Sequence, residues 1–255
     1  MKKSFLLFPA IACAFSTNAQ NVNIPDLTFK NLLLQNTSIN LNWDSEIQLS
    51  EANTYTGILD VSHTLVISDM TGLEEFTQIS ELNCSANFLT ELDVTANSLL
   101  TVLTCYGNYI TTLTLGGNLN LTVISASSNL LTDLDLSIYP NLTFVNISDT
   151  PMTSLNLANG NNTNMTFWAV AAPNLQCVQV DDPLFSAANW SNIEPGLTFS
   201  LDCFETISIN ELSNNPKEVI QILDFMGREV EFKSNTPLIF IYSDGSQERK
   251  MGIQN

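Results

Sequence analysis

Four stretches of this chain align column by column. They are Ile79-Ser-Glu-Leu82-Asn-Cys84-Ser-Ala-Asn87-Phe-Leu89, Leu100-Thr-Val-Leu103-Thr-Cys105-Tyr-Gly-Asn108-Tyr-Ile110, Leu121-Thr-Val-Ile124-Ser-Ala126-Ser-Ser-Asn129-Leu-Leu131 and Leu142-Thr-Phe-Val145-Asn-Ile147-Ser-Asp-Thr150-Pro-Met152. The first three follow the pattern L-x-x-L-x-L-x-x-N/C-x-L, and the fourth has Thr in place of Asn. The period is constant, as the column Leu82, Leu103, Ile124 and Val145 shows. A second set, Leu92-Asp-Val94, Leu113-Thr-Leu115, Leu134-Asp-Leu136 and Leu155-Asn-Leu157, recurs with the same period half a turn later. Alternation of the L-x-L kind turns the apolar side chains to one face of a strand. No stretch with helical periodicity fits between the two sets. Each repeat therefore predicts a flattened coil with a short strand on both sides, stacked on its neighbours as a parallel β-solenoid. The fold class expected is a leucine-rich-repeat solenoid, mostly parallel β, with a small β-type tail.

Working outward, Leu59-Asp-Val61 aligns on Leu82-Asn-Cys84 and reads as an earlier coil, slightly longer than the regular repeat. Met165-Thr-Phe-Trp168-Ala-Val170 aligns on Leu142-Thr-Phe-Val145-Asn-Ile147 and reads as a later one, with two residues inserted. Those two are expected in the Asn/Gly-rich turn Asn159 to Asn164. Thr71-Gly-Leu-Glu74 has the form of a capping box opening one helical turn that runs to Phe76.

Composition excludes whole classes of function. The chain has 255 residues, a net charge of −18, 26 acids, 8 bases and one histidine, and only 13% of it is charged. A usual soluble domain is about 25% charged. Eight bases cannot neutralise a phosphate backbone or hold the chain on anionic lipid. His63 alone supports no His-rich metal centre. The charge is uneven: residues 20–203 hold 18 acids and one base, Lys30, whereas residues 204–255 hold 8 acids and 5 bases.

The N-terminus reads as an export signal. Met1-Lys2-Lys3 precedes an apolar run from Ser4 to Phe15, too short to span a bilayer. Thr17-Asn18-Ala19 offers a small-x-small cleavage site before Gln20; the rival reading is a lipoprotein anchored at Cys13. No other stretch is long and apolar enough for a transmembrane span. An even set of cysteines, Cys84, Cys105, Cys177 and Cys203, would remain in an oxidising compartment, where three pairings are open.

The repeats resemble the secreted leucine-rich-repeat proteins of Bacteroidota, distant relatives of the internalin-type repeat. Ile24-Pro25-Asp26 with Phe29-Lys30 looks like their N-terminal cap, and Ile67 to Phe76 like their first coil. Asn174 to Asp182, with Asn189-Trp190-Ser191 and Cys203, looks like their C-terminal cap. Two cysteines in one cap imply a Cys177–Cys203 disulfide, with Cys84 and Cys105 left as stacked apolar thiols. Val219 to Glu229, with Asn235 to Tyr242 and Asp244-Gly245, is similar to short type IX secretion tails, though it lacks their Tyr-Pro-Asn-Pro opening. Read from residues alone, this tail is a small set of strands with turns at Met226-Gly227 and Asp244-Gly245. The domains expected are a leader (1–19), an N-terminal cap (20–57), the solenoid (58–180), a C-terminal cap (181–203) and a sorting-like β tail (204–255). The resemblance implies surface interaction.

Each candidate site has a plainer competing reading. Asn40, Asn42, Asp44 and Glu51 fall at positions 1, 3, 5 and 12 of a calcium-type loop. Ser45 stands where that loop has Gly, and Asn40 lowers its charge, so a metal-free structural loop competes. On the first strand face, Val102, Val123, Phe144 and Phe167 are expected outward in one column, beside Tyr106. That row suits a partner protein or a glycan; a ladder that only stabilises the sheet is the alternative. Glu91, Asp93, Asp133 and Asp135 on the opposite face could serve as acid and base, but an open strand offers no pocket to separate their pKa values. The resulting expectation is an exported, non-enzymatic, monomeric binding protein, with possible Ca2+ and no other cofactor. Its partner would be a protein or a glycan at the cell surface.

Overall fold

A computed structural model describes residues 20–203, 219–224, 228–231, 237–243 and 245–251. The expected leader, with Cys13, the turn at Met226-Gly227 and residue Asp244 lie outside the described residues. Two compact units emerge, Met1–Cys203 and Phe204–Asn255.

The first unit opens with two helices, α1 (Leu27–Gln35) and α2 (Leu49–Ala52). Asp26 caps α1 by accepting from Thr28 N and Phe29 N, and its other oxygen accepts from Ser68 N at 3.0 Å, tying the cap to the first coil. Partial burial pushes the Asp26 carboxyl up, but these backbone N–H groups outweigh it and hold the pKa below the ordinary value.

Thirteen short strands follow: β1 (Gly57–Asp60), β2 (Ile79–Asn83), β3 (Glu91–Asp93), β4 (Val102–Thr104), β5 (Thr112–Thr114), β6 (Val123–Ser125), β7 (Asp133–Asp135), β8 (Phe144–Asn146), β9 (Ser154–Asn156), β10 (Thr166–Ala169), β11 (Cys177–Gln179), β12 (Asn192–Ile193) and β13 (Thr198–Ser200). On one side, β1, β2, β4, β6, β8, β10 and β12 form a seven-stranded sheet whose neighbours are all parallel. On the other, β3 pairs with β5, and β7, β9, β11 and β13 form a second ladder. The chain is thus a parallel β-solenoid with strands on both sides of its coils, and Leu59 pairs with Leu82 as their alignment requires.

The coils are locked by asparagine. Asn108 is buried, and its Nδ2 donates to Cys84 O (3.1 Å) and Cys105 O (3.0 Å) while its Oδ1 accepts from Leu89 N (3.0 Å). Asn129 does the same one coil on, with Cys105 O, Ala126 O and Ile110 N. One side chain thereby satisfies backbone groups of successive coils that the sharp turn would leave unpaired. In the next coil Thr150 bonds Ile147 O of its own coil. In the half-turn column, Asn97 bonds Leu73 O and Phe76 O, and Asn118 bonds Val94 O. Tyr139 then takes the place of Asn and reaches Gly116 O at 2.8 Å, next to the break between β5 and β7.

A second recurring device is strain. The residue that turns the chain after each main strand has positive φ: Ala86 (52°), Gly107 (66°), Ser128 (51°), Asp149 (55°) and Ala171 (55°). Only one of these coils uses glycine, the residue that adopts this conformation without steric cost. Ala86→Gly should therefore raise stability by about 1 kcal/mol, read by urea unfolding; a loss would show that the turn is unstrained.

Two expectations change. The turn at Leu73–Glu75 is a 3-10 turn begun by Gly72 at φ 102°, not by a Thr71 capping box. Glu74 reaches back to Gly72 N at 2.8 Å, and a Cβ at Gly72 would lie 2.7 Å from Ile24 Cγ1. The second change concerns β10, where Thr166 pairs with Phe144 and Phe167 with Val145. This register is one position short of the alignment of Met165 on Leu142. Such a slip exchanges the two faces of a strand. Phe167 is consequently a core residue, 1% exposed, and Trp168 faces out at 39%.

The C-terminal end is closed by an aromatic stack, with Phe167 and Trp190 ring centroids 5.1 Å apart and Trp190 and Phe199 5.3 Å apart. Trp190 Nε1 donates to Met165 O. The Cys177–Cys203 disulfide bridges Cα atoms 5.7 Å apart. Asp182 caps α3 (Pro183–Asn189) by accepting from Phe185 N, and Asp181 accepts from Gly160 N. In the second unit, β14 (Val219–Leu223), β15 (Pro237–Tyr242) and β16 (Gln247–Met251) form an antiparallel sheet.

Candidate functional site

The seven-stranded sheet turns its polar and mixed positions outward because the L-x-L positions point into the core. Val102, Val123 and Phe144 pair in one row across β4, β6 and β8, each partly exposed. Phe144 continues onto Trp168 of the next coil, their centroids 5.4 Å apart and their planes at 73°. By register Thr166 continues the row opposite Phe144, Phe167 lies in the core, and Trp168, paired with Asn146, packs diagonally on Phe144. Tyr106 stands beside the row, with its hydroxyl 3.3 Å from His63 Nε2. His63 itself is a turn residue at φ 57°.

A second row was not singled out from the sequence. The residue after each ladder asparagine, and after Thr150 in the fourth coil, is apolar: Phe88, Tyr109, Leu130 and Pro151. Phe88, Tyr109 and Leu130 are 46%, 53% and 46% exposed, and Phe88 and Tyr109 pack edge to face at 5.9 Å. The signal was present as one variable column of the repeat whose four residues are all apolar. The two rows belong to the same coils, separated along the chain by the outward columns Thr104, Ser125, Asn146 and Tyr106, Ser127, Ser148.

The calcium-type loop is occupied by its own hydrogen bonds. Glu51 Oε1 accepts from Leu41 N (2.8 Å) and Oε2 from Gln48 N (2.9 Å), while Asp44 Oδ1 accepts from Glu46 N. Asn42 Nδ2 and Gln48 Nε2 both donate to Asp44 Oδ2. These carboxylates act as caps that hold the loop around α2. Asn40 Nδ2 donates to Leu34 O and Asp44 O. Its Oδ1 is buried and accepts no hydrogen bond. Among the described residues, no cluster of three or more His, Cys, Asp or Glu side chains is placed to hold a metal ion.

Cys84 and Cys105 are fully buried free thiols in adjacent coils. Burial pushes Cys105 up to about 12 and Cys84 well above the usual range, with Cys105 adding to the shift at Cys84. They are neutral packing groups, not nucleophiles. Glu91 and Asp93 line a groove of about 560 Å3 with Asp69, Glu74, Thr112 and Thr114. Asp133 and Asp135 line a smaller one, about 260 Å3, across the break from β5. Glu91, Asp93, Asp133 and Asp135 are all exposed, so nothing desolvates one relative to another as acid–base chemistry requires.

The fold and this surface define a leucine-rich-repeat solenoid whose outer surface is partly aromatic. No protein-family model matches the chain, and no curated protein matches it. Among solved structures it is similar to the functional domain of InlJ from Listeria monocytogenes, which includes a cysteine ladder. That likeness has 29% identity and a TM-score of 0.45, over 53% of this chain and 32% of that one. It is also similar to an internalin, InlF, from Listeria monocytogenes, with 16% identity and a TM-score of 0.46 over 68% of this chain and 57% of that one. The chain therefore spans about a third of the length of the first and over half of the second. Among the described residues, no helix is long and apolar enough to cross a membrane.

Proposed function

We propose that the chain is an exported, non-enzymatic binding protein that docks a partner protein on the outer margin of its solenoid. The observation that carries this reading is the row Val102, Val123 and Phe144 on one rigid sheet, with the exposed Trp168 packed diagonally on Phe144. Solvated sheet faces do not need aromatic side chains, whereas protein interfaces are enriched in them. Export is supported by the basic-then-apolar leader pattern and by a disulfide, a bond that persists in oxidising compartments. The tail's likeness to type IX sorting signals supports delivery to the cell surface.

The test is a pull-down from surface extracts, run beside a glycan array, with the wild type and a Phe144→Ser/Trp168→Ser variant. The variant is expected to keep its circular dichroism spectrum and to lose its protein partner about tenfold or more, as removal of central aromatic anchors does. Unchanged capture would remove this surface from consideration. Binding on the glycan array alone would replace the partner protein by a carbohydrate.

A further inference from the structure

At Leu130 the surface dips into an open, shallow groove of about 500 Å3. Leu130, Pro151, Ala171 and Pro173 supply its apolar lining, and the carboxylates of Asp149 and Glu194 share it. Resting on the reading of this margin as a protein-docking surface, we propose that the groove receives a lysine or arginine side chain of the partner.

Three observations lead to that occupant. A basic side chain is apolar along its stem and charged at its tip, so it needs an apolar trough ending at an anion. Leu130, Pro151 and Pro173 form such a trough, and both carboxylates lie in the same groove. The Glu194 carboxylate and the Asp149 backbone are also held in place. Glu194 Oε2 accepts from Ala172 N at 3.1 Å, and Asp149 sits on a left-handed turn, φ 55°, whose N–H donates to Val170 O at 2.8 Å.

The third observation is charge. Residues 20–203 contain 18 acids and one base, Lys30, and that base is paired with Glu46 at 2.7 Å. Among the described residues of the first unit there is therefore no spare Lys or Arg to compensate Asp149 and Glu194. A metal ion is a poorer fit, since no group of three or more suitable ligands exists among the described residues. The surrounding acidic body would also speed the approach of a basic partner.

The test uses the full chain with methyl labelling at Leu and Ala, titrated with N-acetyl-lysine amide and with its uncharged analogue N-acetyl-norleucine amide. Methyl signals of Leu130 and Ala171 should shift saturably with the lysine compound, and binding should weaken with added salt. The norleucine compound should bind about tenfold more weakly. An Asp149→Asn/Glu194→Gln variant should show the same loss for the lysine compound. Both changes conserve shape: Asn tolerates the left-handed turn, and Gln can still accept from Ala172 N. Equal binding of the two compounds, an unaffected double variant, or no saturable shift would overturn the proposal. Failure here is separable from failure of the docking surface. A double variant that keeps the partner while Phe144→Ser/Trp168→Ser loses it removes the groove and leaves the margin.

Discussion

Phe167→Ala should destabilise the first unit by about 4 kcal/mol, whereas Trp168→Ala at the next position should cost under about 1.5 kcal/mol. Phe167 is 1% exposed and packs on Trp190, so truncation removes a large buried ring and opens a cavity in the aromatic plug. Trp168 is 39% exposed and mainly loses its edge-to-face contact with Phe144. Urea unfolding followed by far-ultraviolet circular dichroism, on both variants and the wild type, checks the ordering. If Trp168→Ala proved the more damaging, the register of β10 would be the one that sets Met165 on Leu142, with Trp168 inside. The two variants also separate stability from binding: Trp168→Ala should weaken the partner complex in a protein that remains folded.

Asn108→Ala should be comparably severe, at about 3 kcal/mol or more. The alanine variant removes the acceptor of Leu89 N and one of two asparagine donors from each of Cys84 O and Cys105 O, which keep Asn87 and Asn129, all at the buried joint between two coils. The unpaired Leu89 N–H costs about 1–3 kcal/mol and each lost carbonyl bond about 0.5–1.5 kcal/mol, although water entering the widened turn offsets part of the sum. Asn108→Thr should fall between, because a threonine at the equivalent place, Thr150, still reaches its own coil through Ile147 O. In thermal unfolding, the alanine variant should melt about 10 °C lower, at about 2–4 °C per kcal/mol for a unit of this size. Equal melting temperatures for alanine and threonine would show that the turn is satisfied by something other than the side-chain bond.

These two residues also mark how far the sequence could be read. Asn108 was legible: a polar residue fixed at the same place among apolar columns, as Asn87, Asn108 and Asn129 are, has to be inside, because nothing else in the coil explains its recurrence. Phe167 was not. In Met165-Thr-Phe-Trp168-Ala-Val170 both alternating sets are apolar, so hydrophobic phase cannot choose between Phe167 with Ala169 and Trp168 with Val170. The choice was made by pairing, Thr166 to Phe144, and by Trp190, which arrives from the C-terminal cap to cover the Phe167 ring. The loop at Asn40 to Glu51 has the oxygen spacing of a cation site, and in the fold Glu51 and Asp44 Oδ1 accept from backbone N–H groups while Asp44 Oδ2 accepts from the Asn42 and Gln48 side-chain amides. Spacing nominates candidate ligands; only the fold shows what each ligand already holds.

From its sequence alone this protein's architecture follows, because a short, constant repeat with leucines on one face has few ways to bury itself other than stacked coils. The terminal pairing of Cys177 with Cys203 follows from the resemblance of that segment to a cap and is present in the structure. The exposed aromatic surface and the groove proposed for a basic side chain belong to the tertiary structure. Leu130, Asp149 and Glu194 come from successive parts of the chain, and they meet only because stacking places equivalent turns side by side. A repeat specifies its own interior locally, through contacts that recur in every coil. Its surface is assembled from residues that differ between coils, so what that surface can hold is decided only when the coils stack.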